Sequence, residues 1–590
     1  MTNSKVLAIG VTLILSVGCG RGFKSSRPVK SSLSSTDLGP DLSSPVLSFG
    51  AKPSFRCDPS QVSKTPMKRL TNREFKNLVH SLLDDFSTSL KEDTDLNNKF
   101  SGMNSDILSG ENHAAVESPF VGLSLAYAQD FLEISFRVGG LIASSSTGLA
   151  MYPNTGTCLS QSTVSQACLQ RFVQEFSARA FRRPVTDIEA QELTTMFWDT
   201  SLNKVELLQV TVAGILQLPD TLYRIYDRGI AQGTLVRLTS FELADKLAFF
   251  ITSSPPDSEL RNLAASGRLE QPEILSQQID RLLSTSAARE TIARIFRENL
   301  AYDNSQNGFT YSESILNGIQ VTGLKEQMTQ ELDNYFSDLV LDRNATLAEI
   351  FTSTYSRDLP SSLANLYGVT SQPGPVSLPR ERTGFLNRAA MLAKTSSLYP
   401  SPIKRGVAVM KAVLCANPGS PPPGVATNLP DIDPNNPLTT RSRTALLTQQ
   451  PNTSCIACHS RINPLGFAFE SFDSLGRVRT SEKVYDASGQ TLLATLPIQS
   501  DFTTNELSQT GLHLNNSIEL THRLAQDDKA YMCFVQKLKT YEAKVSATPA
   551  DYCQMNEALF EAYGAQGGNG SIRSVLKSLI LSSRFKIWAY

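Results

Sequence analysis

The chain has 590 residues, 41% hydrophobic and 19% charged, a composition that excludes an intrinsically disordered protein. With 55 Lys+Arg against 56 Asp+Glu, charge gives no reason to bind nucleic acid or an anionic membrane surface. A mean hydropathy of −0.16, and no run of about 20 apolar residues beyond the N-terminus, exclude a multi-span membrane protein.

Residues 1–19 read as a processing segment. Lys5 supplies positive charge, and the apolar stretch from Val6 to Val17 is short for a bilayer span. Leu15-Ser16-Val17-Gly18-Cys19 resembles a bacterial lipoprotein signal, in which the Cys becomes the acylated N-terminus. The resemblance implies lipidation at Cys19, attachment to the membrane through a lipid anchor only, and a place in the cell envelope. Ordinary secretion, with Cys19 removed or unpaired, is the alternative; both export the chain. Residues 20–65, rich in Ser, Pro, Lys and Gly, read as a flexible tether.

The body reads as mostly α. Capping boxes at Thr71–Glu74, Thr186–Glu189 and Thr239–Glu242 predict helix starts. The first precedes Phe75, Leu78, Val79, Leu82 and Leu83 at helical spacing. Further core-facing stripes are Leu275–Ile279–Leu282–Leu283, Ile292–Ile295–Phe296–Leu300, Met328–Leu332–Tyr335–Phe336–Leu339 and, near the C-terminus, Ile572–Val575–Leu576–Leu579–Ile580. His80 reads as a helix-end or surface residue, and His113 as isolated. The prolines between Pro418 and Pro437 predict a polyproline-like connector, and Val484 to Phe502 a hairpin or irregular loop.

Chemistry enters at Cys455-Ile456-Ala457-Cys458-His459. On a helical turn the two thiols at i and i+3, and the imidazole at i+4, share one face. This arrangement suits two thioethers to a haem and one axial nitrogen on its iron. From the chain's own Cys and His frequencies the chance occurrence is about 0.001. Zinc would need a second ligand pair, and the sequence has no other CxxC or HxxxH. A thioredoxin-like pair would need a βαβ context. One covalent haem c per chain is therefore expected, with a disulfide or a vestigial motif as the alternatives. Six further cysteines remain once Cys19 is set aside. Among their 15 possible pairings, spacing favours Cys158–Cys168 and Cys533–Cys553, which leaves Cys57–Cys415.

The stretch from Cys455 to Arg479 resembles the cytochrome-c-like segment of exported, planctomycete-type multidomain proteins, whose other domains are of unknown function. The resemblance extends to Arg69–Phe75, Arg179–Pro184, Leu238–Leu260, Ser401–Gly406 with Cys415, Tyr541 and Ser582–Phe585. The chain departs from that pattern at Asn463, where the family often has Asp, and after Tyr541.

Together these features imply a mostly α, multi-domain helical protein with a small cytochrome-c-like module in its C-terminal third. The expected regions are 66–235, 236–417, 418–500 with the connector and haem module, and 501–590. In class I c-type cytochromes a Pro after the motif offers its carbonyl to the His Nδ1–H, which implies that role for Pro464. Met532 is the first candidate for the distal ligand, followed by His522, His513 and Met555; a five-coordinate iron is the remaining choice. Glu470 and Asp473 read as a solvated helix face, with an acid pair as the functional alternative. The expected role is electron transfer with another exported redox protein or enzyme. The alternatives are an extracytoplasmic enzyme with a haem appendage, directed at a polymer or peroxide, and a structural lipoprotein without haem.

Overall fold

The computed structural model describes residues 68–104, 106, 125–233, 235–302, 323–394, 399–419, 429–451, 453–543, 549–563 and 570–589. The expected signal segment with Cys19, the expected tether with Cys57, and His113 lie outside them. Helices dominate, and the strands are short. No helix of the described residues is long and apolar enough to cross a membrane.

The first core belongs to α1 (Asn72–Asp84), α2 (Leu125–Ser144), α3 (Gln166–Ala180), α4 (Asp187–Phe197) and α5 (Lys204–Gln217). The boxes at Thr71 and Thr186 form as expected. A third, Asn203 with Glu206, starts α5; it escapes a search restricted to Ser and Thr caps. Phe75, Leu78, Val79, Leu82 and Leu83 of α1 are all buried. His80 is not a helix-end residue: it lies inside α1, half-buried, with its ring edge against Phe100.

A second, larger core draws on residues between Leu243 and Phe585 and joins regions that the sequence separates. Its helices include α6 (Ser240–Thr252), α7 (Pro272–Leu283), α8 (Ser286–Leu300), α9 (Leu324–Ser337), α10 (Leu347–Thr352), α11 (Pro402–Val413), α13 (Cys455–Phe467), α14 (Asp528–Ala543), α15 (Pro549–Tyr563) and α16 (Ile572–Leu581), and α12 (Thr440–Thr448) packs on α11 and α13. The four stripes read from the sequence between Leu275 and Ile580 all face this core.

Strands tie distant segments together. Lys68–Arg69 (β1) pairs antiparallel with Tyr223–Arg224 (β2). Ile230–Gln232 (β3) and Leu235–Arg237 (β4) form a hairpin, and Ile587–Ala589 pairs with β4 from its other side. The expected hairpin is present as Ser481–Tyr485 (β5) and Leu492–Pro497 (β6), followed by a second, Phe502–Thr504 (β7) with Leu512–Leu514 (β8).

The helix that carries Cys455, Cys458 and His459, α13, is held by α11. At their crossing the two backbones touch: a Cβ at Gly406 would overlap the Ile462 carbonyl, and one at Gly466 the Pro402 carbonyl. Arg405, buried on α11, donates to the carbonyls of Phe469 at 3.1 Å, Phe472 at 3.2 Å and Asp473 at 2.7 Å, fixing the chain that leaves α13. We expect Gly466→Ala to force the helices apart and to lower stability by about 1–3 kcal/mol, as overpacking does. A urea midpoint equal to that of the unaltered chain would contradict this close approach.

Cys158–Cys168 forms as the spacing predicts. Cys415 bonds Cys533, across 118 residues, because α11 and α14 pack side by side in the second core. This corrects both other expected pairs. Cys553 is also disulfide-bonded, but not to Cys533.

Candidate functional site

The first turns of α13 stand out from the body. Ile456, Ala457, Cys458, Ser460 and Arg461 are exposed, and Cys455 and His459 are half-buried. Both thiols are free. The second half of the helix is sunk in the core through Ile462, Asn463, Leu465, Gly466 and Phe467. Arg461 forks onto Glu506 with two 2.8 Å bonds, tying α13 to the segment after β7. The motif is thus carried on a rigid base with its reactive turn open to solvent.

His459 is oriented by a relay. Its Nδ1 lies 3.0 Å from Asn463 Oδ1, and Asn463 Nδ2 donates to Thr448 Oγ1 at 2.8 Å. Thr448 Oγ1 donates in turn to the Thr444 carbonyl at 2.6 Å. Because that hydroxyl proton is committed, Thr448 accepts from the Asn463 amide. Oδ1 then faces His459 and acts as an acceptor, so Nδ1 carries the ring proton. The lone pair is left on Nε2, which makes no hydrogen bond among the described residues. Asn463 and Thr448 are buried, so water does not compete for the relay.

The ring partner is therefore Asn463 and not Pro464. Pro464 lies inside α13, and its carbonyl accepts the Ala468 N–H at 3.3 Å as an ordinary helix bond. Spacing alone held a signal for this: residues 459 and 463 are four apart on one helix and share a face.

Glu470 is buried, so the expected solvated face is corrected. The helix ends at Phe467, and the chain folds Glu470 onto Arg479 (3.0 Å), which also lies 3.6 Å from Glu482. Glu482 accepts from Thr440 at 2.5 Å and so anchors the start of α12, the helix that carries Thr448. Asp473 turns away to Arg477, at 2.6 Å, and forms no acid pair with Glu470. Burial, only partly offset by Arg479, raises the Glu470 carboxyl to about 7; the second carboxylate, Glu482, adds to the rise. Against an ordinary value of 4.5, the folded state then holds more protons than the unfolded one between the two values. This group's contribution makes stability fall as pH rises through that window, by up to about 1.4 kcal/mol per pH unit. Glu470→Gln removes that slope, so the variant's unfolding midpoint should gain on the unaltered chain from pH 5 to pH 8. A constant difference over that range would contradict the assignment.

The distal candidates are dispersed. Met532 is partly buried against the second core on α14, whose principal neighbours are α8, α11 and α15, so it is placed as a packing residue. Met555 is fully buried in that core, and His522 is exposed on a separate helix, Ser517–Leu524. His513 is exposed on β8, paired opposite Thr503 of β7, and β7 packs on α13. Among the described residues no three His, Cys, Asp or Glu side chains converge on a metal position.

Three family models match the chain. Each is described as a protein of unknown function: DUF1595 over residues 168–225, DUF1592 over 238–369 and DUF1588 over 382–482. They are the planctomycete-type domains, and the last spans α11 to β5, with the whole of α13. No curated protein and no solved structure matches the chain.

Proposed function

We propose that the protein is an exported c-type haem protein that transfers electrons to another exported redox protein or enzyme, held at the membrane by a lipid on Cys19. The observation that carries this reading is the His459–Asn463–Thr448 relay. It protonates Nδ1 and leaves Nε2 as a free donor beside two unbonded thiols on one helical turn. A structural CxxC has no need of a tautomer-fixed imidazole, whereas an axial ligand does.

The residues fit the group. Cys455 and Cys458 would tether the haem, and His459 Nε2 would take the proximal position. When bound, haem c supplies one-electron redox chemistry. The fork from Arg461 to Glu506 and the buried half of α13 keep the turn from moving as charge changes. His513, on the hairpin beside α13, is better placed than Met532 for the distal side. A Met–iron charge-transfer band should accordingly be absent from the visible spectrum, and Met532→Leu should leave that spectrum unchanged.

Spectroelectrochemical titration of the haem-loaded chain tests the role. Reversible one-electron cycling with no consumption of peroxide supports electron transfer. Rapid peroxide turnover would overturn it in favour of an enzyme.

A further inference from the structure

Cys553, half-buried on α15, is disulfide-bonded. The chain has nine cysteines. Four of them are paired as Cys158–Cys168 and Cys415–Cys533, and the thiols of Cys455 and Cys458 are free. Two residues remain as the partner of Cys553: Cys19 and Cys57.

Geometry and chain length choose between them. The ammonium of Lys68, in β1, lies over the Trp588 ring, 5.6 Å from its centroid. Trp588 stands six residues past Ser582, a span of at most about 20 Å. Ser582 Oγ accepts from Gln554 Nε2 at 2.7 Å, and Gln554 is the chain neighbour of Cys553. The end of α14 closes the same corner: Glu542 pairs with Lys246 at 2.9 Å, and Lys246 donates to the Phe585 carbonyl at 2.9 Å. The start of β1 and Cys553 therefore belong to one corner of the molecule. Cys57 precedes Lys68 by 11 residues, which reach about 36 Å when extended. Cys19 precedes it by 49 residues. Loop-closure entropy favours the shorter connection by roughly tenfold. Under the proposed function Cys19 also carries a lipid, which removes its thiol; that last argument alone rests on the proposed function.

We propose that Cys57 and Cys553 form a disulfide that staples the chain entering β1 to α15. Its formation takes two electrons and two protons from the two thiols. They pass by exchange to the disulfide of an exported thiol oxidase, which becomes a dithiol. β1 leads through Leu70 into the first core, and α15 packs on α14 and α16 in the second, so the bond joins the two cores covalently.

Peptide mapping of the exported full chain tests this, with alkylation in denaturant and no reduction. A tryptic digest should hold Cys57–Lys64 joined to Val545–Arg573, and reduction should separate the two. Cys57→Ser should raise the thiols titrated in denaturant without reduction by one per chain, as Cys553 is released. Recovery of Cys57 or Cys553 alkylated without reduction, or an unchanged thiol count in Cys57→Ser, overturns the pairing alone. Cys553 joined to the peptide that contains Cys19 overturns the pairing and the lipid on Cys19 together. The map needs only the unaltered chain, so it decides the matter even if the variant fails to fold.

Discussion

Haem staining after denaturing electrophoresis is expected to disappear from the Cys455→Ala, Cys458→Ala double variant and to weaken in each single one. The free thiols occupy the first turn of α13, one half-buried and one exposed, and nothing else in the described residues could hold a porphyrin covalently. Each thioether independently prevents release under denaturing conditions. The double variant should still fold, because that turn contributes little to the core: the residues that seat α13 are Ile462, Leu465, Gly466 and Phe467. Undiminished staining in the double variant would mean that the motif has been assigned the wrong chemistry.

Glu331→Ala should be the most destabilising of the substitutions considered. Arg388, with no exposed surface, forms an ion pair with Glu331 in the centre of the second core. Its other donors reach the carbonyls of Gly384 at 3.2 Å and Tyr355 at 2.8 Å. Glu331 also accepts from Ser356 at 3.0 Å and Tyr367 at 3.4 Å. Removing the carboxylate strands a buried guanidinium and unpins two hydroxyls, for which a loss of about 3–5 kcal/mol is expected. The pair joins α9 to the segment that leads into α11, so α13 should loosen with it. Chemical denaturation checks this, and a loss below about 1 kcal/mol would show that the pair contributes no net stability.

Local features were legible in the sequence, whereas long-range ones were not. Thr71, Thr186 and Thr239 cap helices because the device is contained within four residues. Thr346 with Glu349 is an identical box, starts α10, and was readable by the same rule. The Cys455–His459 motif was visible because its chemistry depends on one helical turn. Cys415–Cys533 could not be read, since loop spacing says nothing about two helices that meet 118 residues apart. Gly406 and Gly466 looked unremarkable singly; their role exists only where α11 and α13 cross.

Glu470 misled for a related reason. A helix continued past Phe467 would put it on a solvated face, but the helix stops there and Arg479 draws the carboxylate inside. Asn463 was visible as a departure from the resembling family. Its task became apparent only once Thr448 fixed which way its amide points.

The most direct test is a pyridine haemochrome spectrum of the full chain produced with the c-type maturation system. The spectrum should show a c-type α-band and one haem per chain, retained after acid–acetone extraction. A protein that folds with its Cys158–Cys168 and Cys415–Cys533 disulfides intact but shows no such band, or gives up its haem to the solvent, would contradict covalent haem at Cys455 and Cys458.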